Sequence, residues 1–565
     1  MSQRRLARGL LPVACWLLVA SGAAAQRVLG PPDRPPLEPF PSERAPEPLD
    51  LPPAPEVADE GVLGTGLIVT VRTFVVEGST VFSQQELAQI TLPYTGRPIG
   101  AEQLLAVRDA ITQLYVERGY ITSGAVIPDQ TVEDGIVRIQ LTEGTLVDVV
   151  VEGTSRFRPR YFRDRLMRAG HRPVNVLKLE ERLQLFQQDA LVERVAARLE
   201  PGELRGQSIL FLDVTEGRSY GATASFVNNR NPNVGSTGGQ FSAGIANLLG
   251  HADRLTGYAD VTRGFWEYNF RYELPLNSYD TQLALTWENA ESDIINDDFN
   301  RLDIVSKAWT GGIELRHPLV RTLRHELWLG VAVARRRSKS TLLGQAIAFV
   351  GDDAAQKTSV LRFVQDYTWR APRNVIALRS TESLGLDVLG ADGTGEPKSQ
   401  FVSWLAQVQW AHRLPEVLLG SQIVFRTDLQ LASDPLPILE RLALGGVATV
   451  RGYRENAIVR DNGVISSLEL RIPLLRDRLD ADLVQLAGFL DVGRGWDERS
   501  SLGSKTLWGT GLGLRIFPYP GVEGEIYWAE NLTGQPDTSG NRDLQDDGIY
   551  FRLTLRPFDT FSARR

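Results

Sequence analysis

The chain is poor in cysteine and, beyond its first residues, has no long apolar run. Its 565 residues include a single cysteine, Cys15, which lies in the apolar middle of a predicted secretory signal peptide at residues 1–25. Cleavage after Ala25 leaves no cysteine, so we expect an exported protein without disulfides or thiol chemistry. No run of 18 or more apolar residues follows, which excludes a membrane-spanning helix. Entry into a membrane would therefore require a closed barrel, because backbone groups in lipid need hydrogen-bond partners within the protein.

The chain also lacks common enzyme motifs and an excess of positive charge. It has no G-x-x-x-x-G-K-[ST] loop and no H-E-x-x-H, and its five histidines are scattered. Loss of the three signal arginines takes the formal net charge from −8 to −11, so no basic surface for nucleic acid is expected. Neighbouring carboxylates such as Glu523 and Glu525 are more typical of a solvated wall than of an acid–base dyad. We predict no enzyme activity, cofactor, metal or nucleic-acid partner.

Two segments of similar sequence follow a proline-rich linker. The linker, residues 26–68, favours an extended, semi-rigid chain. Segment 69–144 and segment 145–217 each contain Val-Val-Glu-Gly near the start and Thr-Glu-Gly at the end, at an offset of about 75 residues. Repeats of this length are small domains rather than solenoid units, so we predict two small α+β domains. Pro201-Gly202 predicts a turn before the final hairpin. Apolar residues at helical spacing predict a helix in each domain: Leu104, Val107, Ile111 and Leu114, then Leu179, Leu183, Phe186 and Leu191.

From residue 218 onward, short runs alternate between apolar and polar residues. Leu283, Leu285 and Trp287, for example, alternate with polar neighbours. Strand side chains alternate between two faces, and charged residues on the inner face are typical of a wet barrel lumen rather than a packed sandwich core. We predict a transmembrane β-barrel at 218–565, with about sixteen strands of roughly 9–11 residues, although fourteen or eighteen fit almost as well. Interface girdles are expected from tryptophans: Trp266, Trp287, Trp309, Trp369, Trp508 and Trp528.

Two stretches suggest a contact between a loop and the barrel wall. Phe489, Asp491 and Gly493 lie in a strand-like run whose other face is apolar, so Asp491 should point into the lumen. A loop with Val450-Arg451-Gly452-Tyr453 can fold inward, and its arginine would then form a latch with that aspartate. Spacing alone favours an ordinary surface turn and an unrelated strand aspartate. A wet contact would be worth roughly 0–1 kcal/mol, whereas loss of one partner of a dry one would cost about 3–5 kcal/mol.

These features together resemble the outer-membrane transporters of two-partner secretion, the TpsB or FhaC/ShlB-like haemolysin secretion and activation proteins. The resemblance covers residues 69–558. Residues 76–83 look like the opening of a POTRA domain. Val450, Arg451, Gly452 and Tyr453 match the tetrad at the tip of the family's sixth external loop, and Phe489, Asp491 and Gly493 match its F-x-D-x-G strand motif. Each motif is short, but two POTRA-like units ahead of one barrel form a specific combination.

The resemblance implies a sixteen-stranded barrel in the bacterial outer membrane with two POTRA domains in the periplasm. Such a protein captures an unfolded TpsA-like exoprotein and passes it to the cell surface without ATP. Outer-membrane lipid and the barrel-assembly machinery are further implied partners. In the family the sixth loop folds into the lumen and its arginine, here Arg451, pairs with the strand aspartate, here Asp491. An edge strand of a POTRA domain can pair with a strand of the substrate. We expect this edge in the second POTRA domain and assign no residue to it.

Two departures from the family pattern stand out, and two other functions remain open. Residues 26–60 hold eleven prolines, too many for the long helix that plugs the pore in many relatives. Phe558, the expected terminal aromatic of the last strand, is followed by seven more residues. The alternatives are a POTRA barrel that inserts other membrane proteins, which usually has three or more POTRA units, and a passive porin. The count of two units argues against the insertion factor, and partner-dependent secretion would separate a transporter from the porin.

Overall fold

The computed structural model describes residues 68–170, 173–297, 303–343, 345–346, 355–391, 398–478, 481–498, 503–534 and 542–558. The predicted signal peptide, nearly all of the linker with its question of a plug helix, and the last seven residues lie outside these ranges. The described chain forms two compact units. The first runs to Ser219 and includes Asn247–Ala252, and the second contains Tyr220–Ala246 and the chain from Asp253 onward.

The first unit contains two α+β domains in tandem. Its elements are β1 Ile68–Val71, β2 Thr73–Glu77, α1 Gln84–Thr91, a 3₁₀ turn Leu92–Tyr94, β3 Arg97–Gly100, α2 Ala101–Glu117, β4 Gly124–Val126, β5 Ile136–Thr142, β6 Thr145–Glu152, α3 Arg160–Ala169, α4 Val176–Gln187, β7 Val192–Pro201 and β8 Gln207–Glu216. Each domain has a three-stranded sheet, ordered β2-β5-β4 and β6-β8-β7. In both, the first strand is parallel to the middle one and the third is antiparallel. The predicted pair of α+β domains is confirmed. None of the described helices is long and apolar enough to cross a membrane.

Side-chain caps and apolar stripes account for the helices. Ser83 and Glu86 form a reciprocal capping box at the start of α1, and Asn175 caps α4 through two backbone N–H groups. The predicted stripe on α2 packs in the first domain's core. Leu191, predicted on a helix, is instead buried beyond the end of α4. Pro201 ends β7, so the predicted turn lies within the final hairpin rather than before it.

The glutamate that ends each repeat holds the loop that follows the first strand of its sheet. Glu143 accepts hydrogen bonds from the Thr80 N–H at 2.7 Å and the Tyr115 hydroxyl at 3.0 Å. Glu216 accepts the N–H groups of residues 155, 156 and 157 at 2.7, 2.8 and 2.9 Å. Burial by itself raises the pKa of Glu216, but these three N–H groups outweigh it and lower the pKa below its usual value. The shared Thr-Glu-Gly ending is therefore a structural device common to both domains.

The second unit is a closed antiparallel barrel. Its strands are β9 Tyr220–Val227, β10 Gly238–Ala246, β11 Arg254–Thr262, β12 Phe265–Pro275, β13 Gln282–Asp293, β14 Val305–Arg321, β15 His325–Leu342, β16 Gln345–Ala346, β17 Ala355–Ala371, β18 Asn374–Leu386, β19 Phe401–Arg413, β20 Gln422–Ala432, β21 Leu442–Leu444, β22 Ile458–Arg460, β23 Asn462–Arg476, β24 Asp482–Trp496, β25 Lys505–Tyr519, β26 Val522–Asn531 and β27 Ile549–Leu555, with 3₁₀ turns at Pro232–Val234, Glu416–Leu418 and Ile438–Glu440. The two-residue β16 extends the β15 edge, and β21 pairs with β22 in a separate two-stranded sheet. The other sixteen form the wall, which β27 closes on β9. The predicted count of sixteen is confirmed.

The two faces of the wall differ as the alternation predicts. Apolar side chains such as Leu285, Ile313 and Leu490 are exposed outward, whereas Asp428 and Gln430 are buried inward. Four of the predicted girdle tryptophans are well exposed: Trp266, Trp287, Trp508 and Trp528. Many strands exceed the predicted 9–11 residues, and β15 reaches 18. A strand this long extends beyond the roughly 25 Å of a membrane's apolar band.

Candidate functional site

The segment between β20 and β23, residues 433–461, carries the predicted Val450-Arg451-Gly452-Tyr453 motif; we call it the inward loop. Its sides form the short β21–β22 ladder. Gly445 and Gly446 adopt φ values of +104° and +101°, a region that favours glycine. A Cβ at Gly446 would also lie about 2.0 Å from the Glu455 carboxyl group. The chain can therefore make its turn at the loop tip only with glycine there.

Arg451 is gripped by the barrel wall. Its Nε and Nη2 donate to the two oxygens of Asp491 at 2.7 and 2.9 Å, and its backbone N–H donates to the same carboxylate at 3.1 Å. Its Nη1 donates to Glu469 at 2.6 Å, and its Nη2 also donates to Ser467 at 3.2 Å. Arg451 is 5% exposed and Asp491 0%. The contact is therefore the dry kind, in which an unpartnered charge is costly.

Two aromatic rings and the two acids fix the charge state of Arg451. The guanidinium carbon lies 3.4 Å from the ring centre of Phe489 and 5.1 Å from that of Tyr527, within cation–π range. Burial alone would lower the pKa of Arg451, but the hydrogen bonds and charges of Asp491 and Glu469 raise it above its ordinary value. The arginine therefore stays charged at every physiological pH. Phe489, the first residue of the F-x-D-x-G motif, supplies a face for the guanidinium.

A strip of three glycines on β25 makes room for the loop tip. Gly509, Gly511 and Gly513 point inward and stand opposite Asp491, Phe489 and Ala487 in the β24–β25 ladder. A Cβ at Gly509 would lie 1.9 Å from the Arg451 carbonyl oxygen. At Gly511 it would lie 2.9 Å from the Phe489 ring. Any side chain at these positions would collide with the tip or its supports. The alternation G-x-G-x-G at 509–513 was the signal that the sequence reasoning missed.

The rest of the tetrad is also bound. The Gly452 N–H donates to the Tyr550 hydroxyl at 2.9 Å, and that hydroxyl donates to the Tyr453 carbonyl at 2.7 Å. The Tyr453 hydroxyl contacts the Trp508 carbonyl at 2.9 Å. Val450 packs in an apolar cluster with β21 and wall residues. Gly493 of the strand motif faces it, since a Cβ there would lie 2.7 Å from Val450. The structure thus brings all seven predicted site residues together.

A second ion cluster, which the sequence did not predict, holds the part of the inward loop that leads from β20 to the tip. We call this part, residues 433–444, the limb. Glu440 accepts hydrogen bonds from Arg362 of β17 at 2.7 and 2.9 Å and from Arg336 of β15 at 2.9 Å. All three side chains are less than a tenth exposed. Burial raises the pKa of Glu440, but both arginines outweigh it and lower the pKa. The inward loop is thus fixed to β15 and β17 by its limb and to β23–β26 by its tip.

The residues after the tetrad join two other loops. Arg454 pairs with Asp546, between β26 and β27, at 2.5 Å. The Glu455 N–H donates to Gln545 at 2.9 Å, and the Glu455 carbonyl accepts from Asn231, between β9 and β10, at 2.6 Å. The tip therefore touches the loops on either side of the β27–β9 closure. That closure has four residue pairs, fewer than any other junction between neighbouring wall strands.

The site's chemistry is that of a mechanical contact. Its groups are a permanently charged arginine, carboxylates and backbone amides held at fixed distances. Among the described residues, no group of three or more histidine, cysteine or acidic side chains is placed to hold a metal ion. Glu523 and Glu525 both pair with Arg515, at 3.2 and 2.8 Å. They therefore belong to an ionic ladder on the barrel wall.

A sixteen-stranded barrel that contains an inward loop and follows two POTRA-type domains defines a class, the POTRA-barrel transporters of the outer membrane. The family model for haemolysin secretion/activation proteins ShlB/FhaC/HecB matches residues 206–516, and the model for the ShlB-type POTRA domain matches residues 69–144. The chain belongs to the ShlB/FhaC/HecB family, the outer-membrane transporters of two-partner secretion. Its barrel lies in the bacterial outer membrane and its POTRA domains lie in the periplasm.

Relatives share most of the chain's length. The chain is 25% identical over 534 residues to the outer membrane transporter CdiB of Escherichia coli, which covers 89% of this chain and 87% of that protein. It is 22% identical over 405 residues to the heme/hemopexin transporter protein HuxB of Haemophilus influenzae, covering 68% and 69%. The solved structure of CdiB from Escherichia coli aligns with a TM-score of 0.67 at 22% identity, covering 89% and 93%. That of BamA from Haemophilus ducreyi, lacking POTRA domains 1–3, aligns at 0.53 and 13% identity, covering 87% and 100%, which shows a shared fold alone.

Proposed function

We propose that this protein takes an unfolded TpsA-type exoprotein from the periplasm through its POTRA domains and moves it through the barrel to the cell surface without ATP. The observation that carries the proposal is the docked inward loop, with Arg451 buried against Asp491 inside a closed barrel. The loop occupies the lumen at rest, held by the buried ionic contacts of Arg451 and of Glu440, and can leave it as a unit when these contacts break. CdiB and HuxB, two relatives of similar length, are named as transporters.

Substrate capture is assigned to the edge strand β7 in the second POTRA domain. The edges of that sheet are β6 and β7. On β6 the register shifts between Leu146 and Asp148, and the Asp148 carboxylate accepts the Val149 N–H at 2.8 Å, which blocks part of the edge. The ten-residue β7 is longer, with its register irregularity confined to its first residues and one carbonyl, that of Val195, bound by the Gln187 side chain at 3.2 Å. An extended polypeptide can pair with such an edge through backbone groups, with little demand on its sequence.

Directionality follows from folding outside the cell. Transport of the exoprotein out of the periplasm needs no nucleotide hydrolysis if the exoprotein folds at the surface as it emerges. Folding removes the unfolded chain, which is the only form that could slide back. Lipid around the exposed outer wall and the barrel-assembly machinery complete the proposed partners. Phe558, proposed as the aromatic of the insertion signal, follows β27 and packs edge-on against Tyr220 at 5.2 Å.

The test is secretion of a TpsA-type exoprotein produced together with this protein, measured in cells with equal amounts of folded barrel. Arg451→Ala should lower the released exoprotein at least tenfold and leave it in the periplasm, because the docked loop loses its anchor. The matched control is Arg494→Ala, an exposed arginine on the outward face of β24 that should leave release unchanged.

Three results would contradict the proposal. Normal release from cells that lack the protein would remove the transporter role. Unchanged release by Arg451→Ala would remove the role of the docked loop. If cells that lack the protein still release the exoprotein but lose other outer-membrane proteins, the protein would be an insertion factor instead.

A further inference from the structure

A group of basic side chains lies on the outward face of the wall where β14, β15 and β17 meet. We call it the outer basic patch: Lys307, Arg335, Arg337, Lys339 and Lys357. Its β15 members share the face of Val331 and Val333, which are 44% and 43% exposed. The intervening Arg336 points the other way and binds Glu440 of the inward loop. The patch is therefore on the membrane side of the wall.

The patch lies at the external edge of the apolar band. The chain enters β9 from the periplasmic domains, so the last residues of β15 and the first residues of β14 and β17 are at the external end. Arg335 stands ten residues beyond His325, the first residue of β15. At roughly 3.3 Å per residue and a tilt of 35–45°, this distance is about 25 Å, the height of the apolar band.

Tryptophans mark the same level independently. Trp309 stands directly opposite Arg337 in the β14–β15 ladder. Its ring stacks on that of Trp287, with centres 5.4 Å apart and an interplanar angle of 15°. Indole rings concentrate at the boundary between the acyl chains and the headgroups. The cations beside them and above them therefore lie among headgroups rather than acyl chains.

Like charges face each other across the patch. Lys307 stands directly opposite Lys339, and Arg337 stands directly opposite Lys357. Directly paired residues have Cβ atoms about 4.5–5.5 Å apart, and like charges at that separation are destabilising. Lys307 has one carboxylate partner, Glu291 at 2.8 Å. Among the described residues an excess of positive charge remains on β15, the central strand of the patch, and an anion of several charges bound there would relieve the repulsion.

We propose that the outer basic patch binds the phosphate groups of the glycolipid that forms the outer leaflet, lipopolysaccharide. Arginine pairs with phosphate in a two-pronged geometry, and lysine adds point charge. The exposed apolar residues below the patch, Ile313, Val331 and Val333, lie where the acyl chains of the same lipid would pack. The inward loop is fixed through Glu440 to the same two strands, β15 and β17. The bound lipid therefore stabilises the wall to which the loop is attached.

The proposal is tested by lipid binding to the full-length protein in detergent. The probe is bisphosphorylated lipid A, and its binding is followed by native mass spectrometry. Each basic residue near an anionic lipid surface contributes a factor of about five, so Arg337→Gln combined with Lys339→Gln should weaken binding roughly 25-fold. Arg494→Gln, an exposed outward arginine near the external end of β24, is the matched control and should bind as the wild type does. Lipid A without phosphates should bind both proteins equally weakly.

Two further measurements complete the test. One distinguishes lipid phosphate from free phosphate as the ligand, and the other distinguishes loss of lipid binding from loss of folding. Inorganic phosphate at the same phosphate concentration should not displace lipid A, because it lacks the acyl chains. The heat-dependent gel mobility of the barrel reports folding, and if the double variant fails this check, Lys339→Gln alone should show about a fivefold loss. Wild-type affinity in the double variant, an equal loss in Arg494→Gln, or displacement by inorganic phosphate would each overturn the proposal.

Discussion

Replacement of Arg451 by alanine tests whether the tip of the inward loop is held by the buried contact between Arg451 and Asp491. The arginine donates four hydrogen bonds from its guanidinium group and one from its backbone. Alanine keeps only the backbone bond and leaves Asp491, which is 0% exposed, without that counter-charge. Glu469 keeps Arg471, at 2.7 Å. Loss of one partner from a buried ion pair costs about 3–5 kcal/mol, which corresponds to a roughly 150- to 5,000-fold increase in the undocked population.

Amide hydrogen exchange measures this population directly. In the docked state the Gly452 N–H donates to the Tyr550 hydroxyl at 2.9 Å, so it exchanges only when the tip undocks. Peptides that cover residues 445–457 should lose about two to three and a half powers of ten of protection in Arg451→Ala. Peptides from the β24–β25 ladder supply the internal reference, because their amides depend on the barrel rather than on the tip.

The control and the refuting outcomes follow from the same geometry. Arg471→Ala removes a lumenal arginine that also contacts Glu469 but lies on the wall, so tip protection should stay close to that of the wild type. Equal protection in Arg451→Ala and wild type would show that the other tip contacts suffice. An equal loss in Arg471→Ala would show that the effect is general to lumenal charge.

Two further predictions concern the other carboxylates. Glu440→Gln removes the charge that Arg336 and Arg362 both contact, so exchange in residues 438–440 should rise at least tenfold while the barrel stays folded; unchanged exchange would mean that the cluster does not hold the limb. The pKa of Glu216 is lower in the folded protein than its ordinary 4.5, so its contribution to stability is complete above that pH and is lost as the pH falls through the lowered value. Exchange of the amides of residues 155–157, corrected for its intrinsic pH dependence, should accelerate in that acidic window. Glu216→Gln should abolish the acceleration, and a wild type without it would contradict the assignment.

Alternation made much of the barrel predictable. A strand with period two assigns each residue to a face, so the sequence alone places Phe489 and Asp491 in the lumen. The helix α3, in contrast, was not predicted, because its charged sequence shows only a short apolar stripe. Phe162 and Leu166 are buried there beside Arg165, which stacks over the Tyr161 ring at 4.0 Å. A buried arginine breaks the pattern on which such predictions depend.

The partners of Arg451 beyond Asp491 were not predictable, because they depend on which strands become neighbours. Glu469 and Tyr527 lie on β23 and β26, and register alone brings them to the guanidinium. The same holds for Glu440, whose partners come from strands 78 and 104 residues earlier in the chain. A one-residue slip of a strand would turn each of these side chains to the opposite face. Contacts between residues of distant strands are therefore set by the strand order and register of the whole barrel.

The bare strip on β25 has a further consequence for traffic through the bore. If the tip withdraws as proposed, the main chain at Gly509 is uncovered, whereas Gly511 and Gly513 remain against the rings of Phe489 and Tyr527. A polypeptide that passes Gly509 would then meet bare main chain, with no side chain at that position to obstruct it. The absence of a side chain, which lets the loop tip pack closely, would thus also remove an obstacle to the transported polypeptide once the tip has withdrawn.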